Sequence, residues 1–246
     1  MKTNNQICFV ALMLSANVIT ACFYSADNSG NNGLNGGWLF ENNNHQQVLL
    51  FADNYFSHTA YNKKEKKFEF TRGGTYKLQK DQLLTMIEFD TRQKDEVGKT
   101  VTYNFSIDND KLSLNINGRK ETWEQIDKGN DNLAGTWRIT ARKQDEKVVP
   151  IHQTGSRKTV KILTGTRFQW AAINPETKEF FGTGGGTYTF KNGKYTEKIE
   201  FFSRDSSRVG ASLSFDGKLN NGEWHHSGLS SKGDSIYEIW SRVSNI

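Results

Sequence analysis

The densest cluster of chemically capable side chains is Trp224-His225-His226, near the carboxyl end of the sequence. Two imidazoles could ligate a metal ion or act as an acid–base pair. In an extended strand, however, neighbouring side chains point to opposite faces, so His225 and His226 make a poor chelate. The sequence has no H-x-H pattern and no cysteine nearby. We therefore predict no metal site, with Trp224 and His226 facing the interior of the fold and His225 facing solvent.

Glu197 is the second candidate for chemistry. It alternates with Tyr195, Ile199 and Phe201, which predicts that all four face the interior. A buried carboxylate is costly unless it is paired, so Glu197 is either a polar contact for a ligand or a partner of a neighbouring Arg, Tyr or Trp. We predict a ligand cavity here, and the alternative is that the aromatic rings simply fill the core. Its predicted lining is Phe168, Trp170, Tyr188, Tyr195, Glu197, Trp224 and His226.

Catalytic motifs are missing from the sequence. The run GTGGGT at residues 182–187 lacks the Lys-Ser/Thr and the following helix of a phosphate-binding loop, and it is typical of a bulged strand or a sharp barrel corner. Neither G-x-S-x-G nor H-E-x-x-H occurs. These observations favour a protein that is not an enzyme and that needs no cofactor.

One pair of charged residues occurs twice, as Glu88 with Arg92 and as Glu200 with Arg204. Residues four apart on a strand lie about 13 Å apart, at about 3.3 Å per residue, so the two cannot pair with each other. With Ile199 predicted to face inward, we expect these charged side chains to point outward and to pair across strands.

The repeated pair belongs to a longer internal repeat. FEFTRGGTY at 68–76 returns as FFGTGGGTY at 180–188, and LNGGW at 34–38 returns as LAGTW at 133–137. The repeat predicts two domains, at 34–128 and 133–246. The two matches are unequally spaced because the second copy carries an insertion within 141–158. We expect this insertion to be a long loop acting as a lid over one end of the second domain.

Each copy has the pattern of an antiparallel meander. Apolar and polar residues alternate, and Asn-Gly or Asp-Gly pairs at 117–118, 192–193, 216–217 and 221–222 are typical of tight hairpins. A meander that closes on itself removes its exposed edges. The predicted fold is therefore all-β, with two tandem up-and-down barrels, and a β-sandwich is the alternative.

The ends of the second copy resemble a known family. LAGTWR at 133–138 is similar to the first strand of lipocalin-like (calycin-type) barrels, and YEIWSR at 237–242 is similar to their last strand. The middle of the copy also resembles lipocalin-like domains of uncharacterised bacterial secreted lipoproteins. The resemblance implies that Arg242 covers Trp137 as a plug at one end of the barrel, whereas the first copy has Gln125 at the matching position. It implies a fold and a compartment but no reaction.

The N-terminus has the pattern of an export signal. An apolar run at 7–21 is too short to span a membrane, for which about 20 residues are needed, but it suits a signal peptide. ITAC at 19–22 resembles a bacterial lipobox, which implies a signal peptide at 1–21, lipidation of Cys22 and a tether at 22–33. Phe23, in place of Asp, implies the outer membrane. An ordinary signal peptide with a chance cysteine is the alternative.

Composition narrows the class of partner. The 246 residues carry a net charge of +5, from 32 basic and 27 acidic side chains, without a basic block that would indicate nucleic acid binding. Two cysteines exclude a disulfide scaffold.

Taken together, these features predict a lipid-anchored cell-envelope protein, periplasmic or surface-facing, whose second barrel binds a small apolar or amphipathic ligand. The first alternative is a non-catalytic surface scaffold or adhesion module with filled barrels, and an enzyme is the second.

Overall fold

The structure is a computed structural model that describes residues 33–243 apart from 117, 153 and 231. The predicted signal peptide, Cys22 and the tether as far as residue 32 lie outside the described residues. In the described ranges the strands form two closed antiparallel barrels in tandem. The all-β fold and the tandem barrels predicted from the repeat and the alternation are confirmed.

The first barrel contains β1 to β8, each strand paired with the next and β8 with β1. Aspartate and asparagine suit its tight turns because they tolerate positive φ, as Asn43 and Asp53 do here. A 3₁₀ helix at Lys94–Glu96 lies between β5 and β6. The strands are β1 Gly36–Asn42, β2 His45–Ala52, β3 Tyr55–Asn62, β4 Lys67–Gln79, β5 Gln82–Asp90, β6 Thr100–Asp108, β7 Lys111–Ile116 and β8 Arg119–Asp127.

The second barrel contains β9 and β11 to β17, and β17 closes it by pairing with β9. A second 3₁₀ helix, Ser206–Arg208, lies between β14 and β15, the position in this barrel that is equivalent to that of the first 3₁₀ helix. The strands are β9 Gly135–Gln144, β10 Lys147–Pro150, β11 Lys158–Leu163, β12 Arg167–Asn174, β13 Glu179–Lys191, β14 Lys194–Phe202, β15 Ser212–Asn220, β16 Glu223–Leu229 and β17 Ser235–Arg242.

The insertion in the second copy is largely a β-hairpin, so the expectation of a long loop was wrong. Strand β9 continues to Gln144, turns at Asp145 and Glu146, and pairs with β10. Pairing satisfies the backbone groups that a long loop would leave to solvent. After β10, Ile151 packs against the interior cluster of the second barrel.

A β-bulge changes which side chains face inward. Gly185 pairs with Phe201 but Gly186 pairs with Ile199, so Glu200 is an extra residue on β14. A Cβ atom at Gly186 would lie 2.0 Å from the carbonyl oxygen of Lys198, which explains the glycine. The prediction that the glycine run marks a bulge is confirmed. The prediction that Phe201 faces the interior was wrong, because the extra residue reverses the alternation.

Phe201 packs instead between the two barrels. Strands β2 to β5 of the first barrel meet β11 to β14 of the second across an apolar cluster. In it, Tyr61 lies 5.1 Å from Phe201 and Phe89 lies 6.3 Å from Phe180, measured between ring centroids. The two barrels therefore contribute equivalent strands to this interface.

Polar side chains at the centre of this interface satisfy one another. Gln169 donates to Thr71 and to Thr183, at 2.8 and 3.0 Å, and accepts from Thr59 at 2.8 Å. Such bonds matter because unpaired buried polar groups are costly.

Glu88 and Glu200 are also at the interface. Glu88 accepts from Tyr55 of its own barrel and from Lys158 of the other, while Glu200 accepts from Tyr61 and pairs with Arg167. Both carboxylates therefore point outward from their barrels, as expected, but they link the two barrels.

Candidate functional site

A cavity of about 240 Å³ lies inside the first barrel. Its polar lining includes His58, Arg72, Asp90 and Arg92. The apolar part of its lining includes Leu49, Phe51, Phe56, Leu83, Leu114 and Ile116. Pockets for small molecules are concave, mostly apolar and carry a few convergent polar groups, and this cavity has those properties.

The side chains predicted to bind a ligand in the second barrel are packed against one another. The ring of Tyr195 lies 4.9 Å from that of Trp224 and 5.5 Å from those of Tyr188 and His226. Phe168 belongs to the same buried cluster. The structure therefore brings these predicted residues together, and their side chains occupy the barrel interior.

Trp170 lies at the edge of that cluster. It is half-buried and packs on Phe202, with 5.6 Å between ring centroids. His225 is outside, where its Nδ1 lies 2.7 Å from the hydroxyl of Tyr237.

Glu197 forms a buried ion pair with Lys161. The Lys161 Nζ lies 3.0 Å from the carboxylate, and the two side chains are 5% and 7% exposed. Four aromatic rings surround the ammonium group, with centroid distances between 4.9 Å for Trp240 and 5.8 Å for Phe168. Cation–π contacts of this kind help to compensate for lost hydration. Of the two interpretations of Glu197, the structure supports a structural bond, with a lysine as partner.

Lys161 was missed by sequence reasoning, although a signal was present. It lies between Val160 and Ile162, which face the other barrel, so alternation alone turns Lys161 inward. Its equivalent in the first copy, when the two repeats are aligned, is Leu49.

His226 lies deep in the second barrel. Its Nδ1 is 3.3 Å from Glu238, which also accepts a hydrogen bond from the Trp240 indole at 3.1 Å. Burial lowers the pKa of His226, while the nearby Glu238 opposes that change. Rings of Tyr195 and Trp224 cover the imidazole, so the pair is part of the packed interior.

The plug implied by the resemblance is present in the second barrel. The Arg242 guanidinium carbon lies 4.1 Å from the centre of the Trp137 ring, and Arg242 donates to the carbonyl of Ala134 at 2.6 Å. The Trp137 indole donates to the carbonyl of Leu133 at 2.9 Å. In the first barrel the Trp38 indole makes the equivalent bond, to the carbonyl of Leu34 at 2.8 Å, and Trp38 lies opposite Gln125 in the sheet.

The cavity is in the first barrel because smaller side chains stand at equivalent positions. In the aligned repeats, Leu83 replaces Tyr195 and Thr85 replaces Glu197. Leu114 lies opposite Glu121 just as His226 lies opposite Glu238. Interiors of small barrels are filled or hollow according to such side-chain volumes.

The mouth of the cavity is charged. Arg72 pairs with Asp90 at 3.3 Å and with Glu96 at 2.7 Å. The other oxygen of Asp90 accepts from the backbone N–H groups of Arg92 and Gln93, each at 2.8 Å. These bonds turn the chain at the end of β5.

Arg92 lies at this mouth, which differs from the outward position expected for it. Its guanidinium carbon is 3.8 Å from the centre of the Phe70 ring. The expectation assumed a continuous strand, but β5 ends at Asp90, so its alternation does not extend to residue 92. The equivalent Arg204 lies beside Gly182, with its Nε 3.1 Å from the position that a Cβ atom on this glycine would occupy.

His58 lies between the cavity and an adjoining surface depression of about 430 Å³. Its Nε2 is 2.8 Å from the side-chain oxygen of Gln47. Burial, and then the charges of Arg72 and Arg92, lower the pKa of His58 to about 3. The imidazole is therefore neutral at pH 7. Glu121 lines the depression, and burial raises its pKa.

The described residues contain no group of three or more His, Cys, Asp and Glu that could hold a metal ion. Among the same residues, no helix has the length and apolar character needed to cross a membrane.

Comparisons with known proteins bear on the second barrel. No curated protein matches the sequence. Residues 132–246, which include all of β9 to β17, match a family model described as a domain of unknown function, DUF4488.

Proposed function

We propose that the protein binds a small apolar or amphipathic molecule inside its first barrel. The observation that carries the proposal is the cavity of about 240 Å³, whose lining is mostly apolar with a few polar side chains. This volume is a little below the roughly 300–1,000 Å³ of typical small-molecule pockets, which favours a small ligand or one end of a longer one. The sequence favoured the second barrel, but there the same positions carry large side chains in mutual contact.

Binding of a neutral fluorescent probe tests this function. N-phenyl-1-naphthylamine is expected to bind the full-length Cys22→Ser protein with increased fluorescence. Leu83→Tyr, which places a larger side chain on the cavity wall, is expected to weaken binding about tenfold or more, because the cavity loses volume. Tyr188→Phe is the matched control in the second barrel. Equal binding by all three proteins would contradict the proposal.

A scaffold role suits the second barrel. Its interior is filled, and it shares a broad apolar interface with the strands that form the cavity wall. We infer that it holds the first barrel in shape.

The cellular role follows from the N-terminal resemblance. With Cys22 lipidated, acyl chains would hold the protein at the envelope, where more than one chain gives stable attachment. Incorporation of an alkyne palmitate analogue by the wild-type protein but not by Cys22→Ser would support lipidation, and incorporation by both would contradict it.

A further inference from the structure

Three charged side chains line the cavity of the first barrel in the described part of the chain, and two of them neutralise each other. Arg72 and Asp90 form an ion pair, and Glu96 supports Arg72 from outside the lining. Both oxygens of Asp90 are used, one by Arg72 and the other by two backbone N–H groups. Arg92 is the third charged side chain.

Arg92 has a positional partner but no counter-ion among the described residues. Its contact is the face of the Phe70 ring, 3.8 Å from the guanidinium carbon. A cation–π contact holds the group in place and uses its face, so the N–H donors are not consumed by it. Glu69 and Glu121 also line the adjoining depression, but no ion pair joins either of them to Arg92 in the described part of the chain, and Glu69 pairs instead with His45 at 2.6 Å.

Two guanidinium groups, those of Arg72 and Arg92, act on His58 at this end of the cavity. Asp90 and Glu96 both pair with Arg72, so Arg92 is the guanidinium at this end that is left without an ion pair among the described residues. An anion entering from solvent would be attracted to this position.

The charged mouth occurs in the same copy as the cavity. When the two repeats are aligned, His58 becomes Trp170, Arg72 becomes Gly184 and Asp90 becomes Phe202. In the second copy Trp170 and Phe202 pack together at the corresponding place. His58, Arg72 and Asp90 have therefore been replaced where the interior is filled, which links these three to the cavity, whereas Arg92 is kept in the second copy as Arg204.

We propose that the ligand of the first barrel is a monoanion, an organic carboxylate with a short apolar body, whose carboxylate binds Arg92 at the mouth. The proposal rests on the proposed function of this cavity. An arginine fork matches the two oxygens of a carboxylate. The apolar body then lies against Leu49, Phe56 and Leu83.

The test compares three ligands of equal length, octanoate, octanol and octylammonium, by displacement of N-phenyl-1-naphthylamine from the full-length Cys22→Ser protein at low ionic strength. Octanoate is expected to bind about tenfold or more tightly than octanol, with octylammonium weakest, since a charge-assisted hydrogen bond is lost in both. Arg92→Gln is expected to weaken octanoate by a similar factor and to leave octanol within about twofold. Arg204→Gln, its equivalent in the second barrel, is expected to leave the order of affinities unchanged.

Two outcomes would overturn the assignment. Octanol binding as tightly as octanoate, with the probe still bound, would refute the anionic ligand and leave the proposed function standing. An equal loss of octanoate and octanol in Arg92→Gln would indicate a structural role for Arg92. If neither the probe nor any of the three ligands binds, the proposed function fails as well.

Discussion

The two barrels share a strand order and differ in their interiors. In the first, Leu49, Leu83 and Thr85 leave a cavity. In the second, the equivalent Lys161, Tyr195 and Glu197 fill the space with an ion pair and a ring. The difference shows that one barrel backbone can enclose a cavity or a packed interior, depending on a few inward-facing residues.

The largest expected effect comes from breaking the ion pair of the second barrel. Lys161→Leu, which copies Leu49 of the first barrel, leaves Glu197 buried without its partner. The free energy of unfolding is expected to fall by about 3–5 kcal/mol in guanidinium chloride denaturation. The double variant Lys161→Leu/Glu197→Thr buries neither charge and is expected to recover much of that loss. A single variant as stable as the wild type would show that the pair contributes little.

Tyr195 and Leu83 stand at equivalent positions, and giving each barrel the residue of the other tests which barrel is hollow. Tyr195→Leu opens space in a packed interior and is expected to cost about 2–4 kcal/mol of unfolding free energy. Leu83→Tyr adds atoms beside an existing cavity and is expected to change stability by less than about 1.5 kcal/mol. Thermal and chemical denaturation of both variants give the comparison. Similar losses for the two exchanges would mean that both interiors are packed.

The pH dependence of stability is expected to reveal the neutral histidine of the first barrel. The pKa of His58 is about 3 in the folded protein, against 6.5 for an unperturbed histidine, so the unfolded chain binds the additional proton as pH falls through this window. His58 therefore contributes full stability above pH 6.5 and loses it on acidification, by about 2 kcal/mol between pH 7 and pH 5.

The measurement is the difference in unfolding free energy between wild type and His58→Gln at several pH values. That difference is expected to shrink towards lower pH. The exposed His45→Gln is the control, and a difference for His58→Gln that stays constant with pH would contradict the neutral state.

The smallest expected effect concerns the plug. Arg242→Gln gives the second barrel the residue type of Gln125 and removes a cation–π contact and a hydrogen bond to Ala134. We expect a loss of about 1–2 kcal/mol in unfolding free energy. Gln125→Ala in the first barrel is expected to stay within about 0.5 kcal/mol. Equal effects at the two positions would show that the plug is not specific to the second barrel.

Much of the fold was predictable from local pattern. The repeat, the alternation and the turn residues predicted tandem barrels, and the glycine run predicted a bulge. The direction in which Phe201 and Asp90 point was not predictable, because one extra residue in a bulge reverses every side chain beyond it. Likewise, alternation could not position Arg92, which follows the end of its strand.

The candidate site was predictable only in part. The sequence identified the inward-facing aromatic residues of the second barrel and the carboxylate among them. It assigned the ligand to that barrel because large aromatic residues suggest a binding surface as readily as a filled core. Side-chain type does not distinguish the two, since an interior is hollow or solid according to the summed volume of residues from all strands.

The sequence by itself determined the strand alternation, the duplication and tight turns such as those at 192–193 and 221–222, because these depend on neighbours along the chain. The turn predicted at Asp216-Gly217 was wrong, because both residues pair within β15. Only the tertiary structure decided that Lys161 meets Glu197, that Glu88 and Glu200 join the barrels, and that Arg92 stands at the mouth of a cavity. These contacts bring together residues from distant strands, and their geometry depends on bulges, register and packing across the whole barrel.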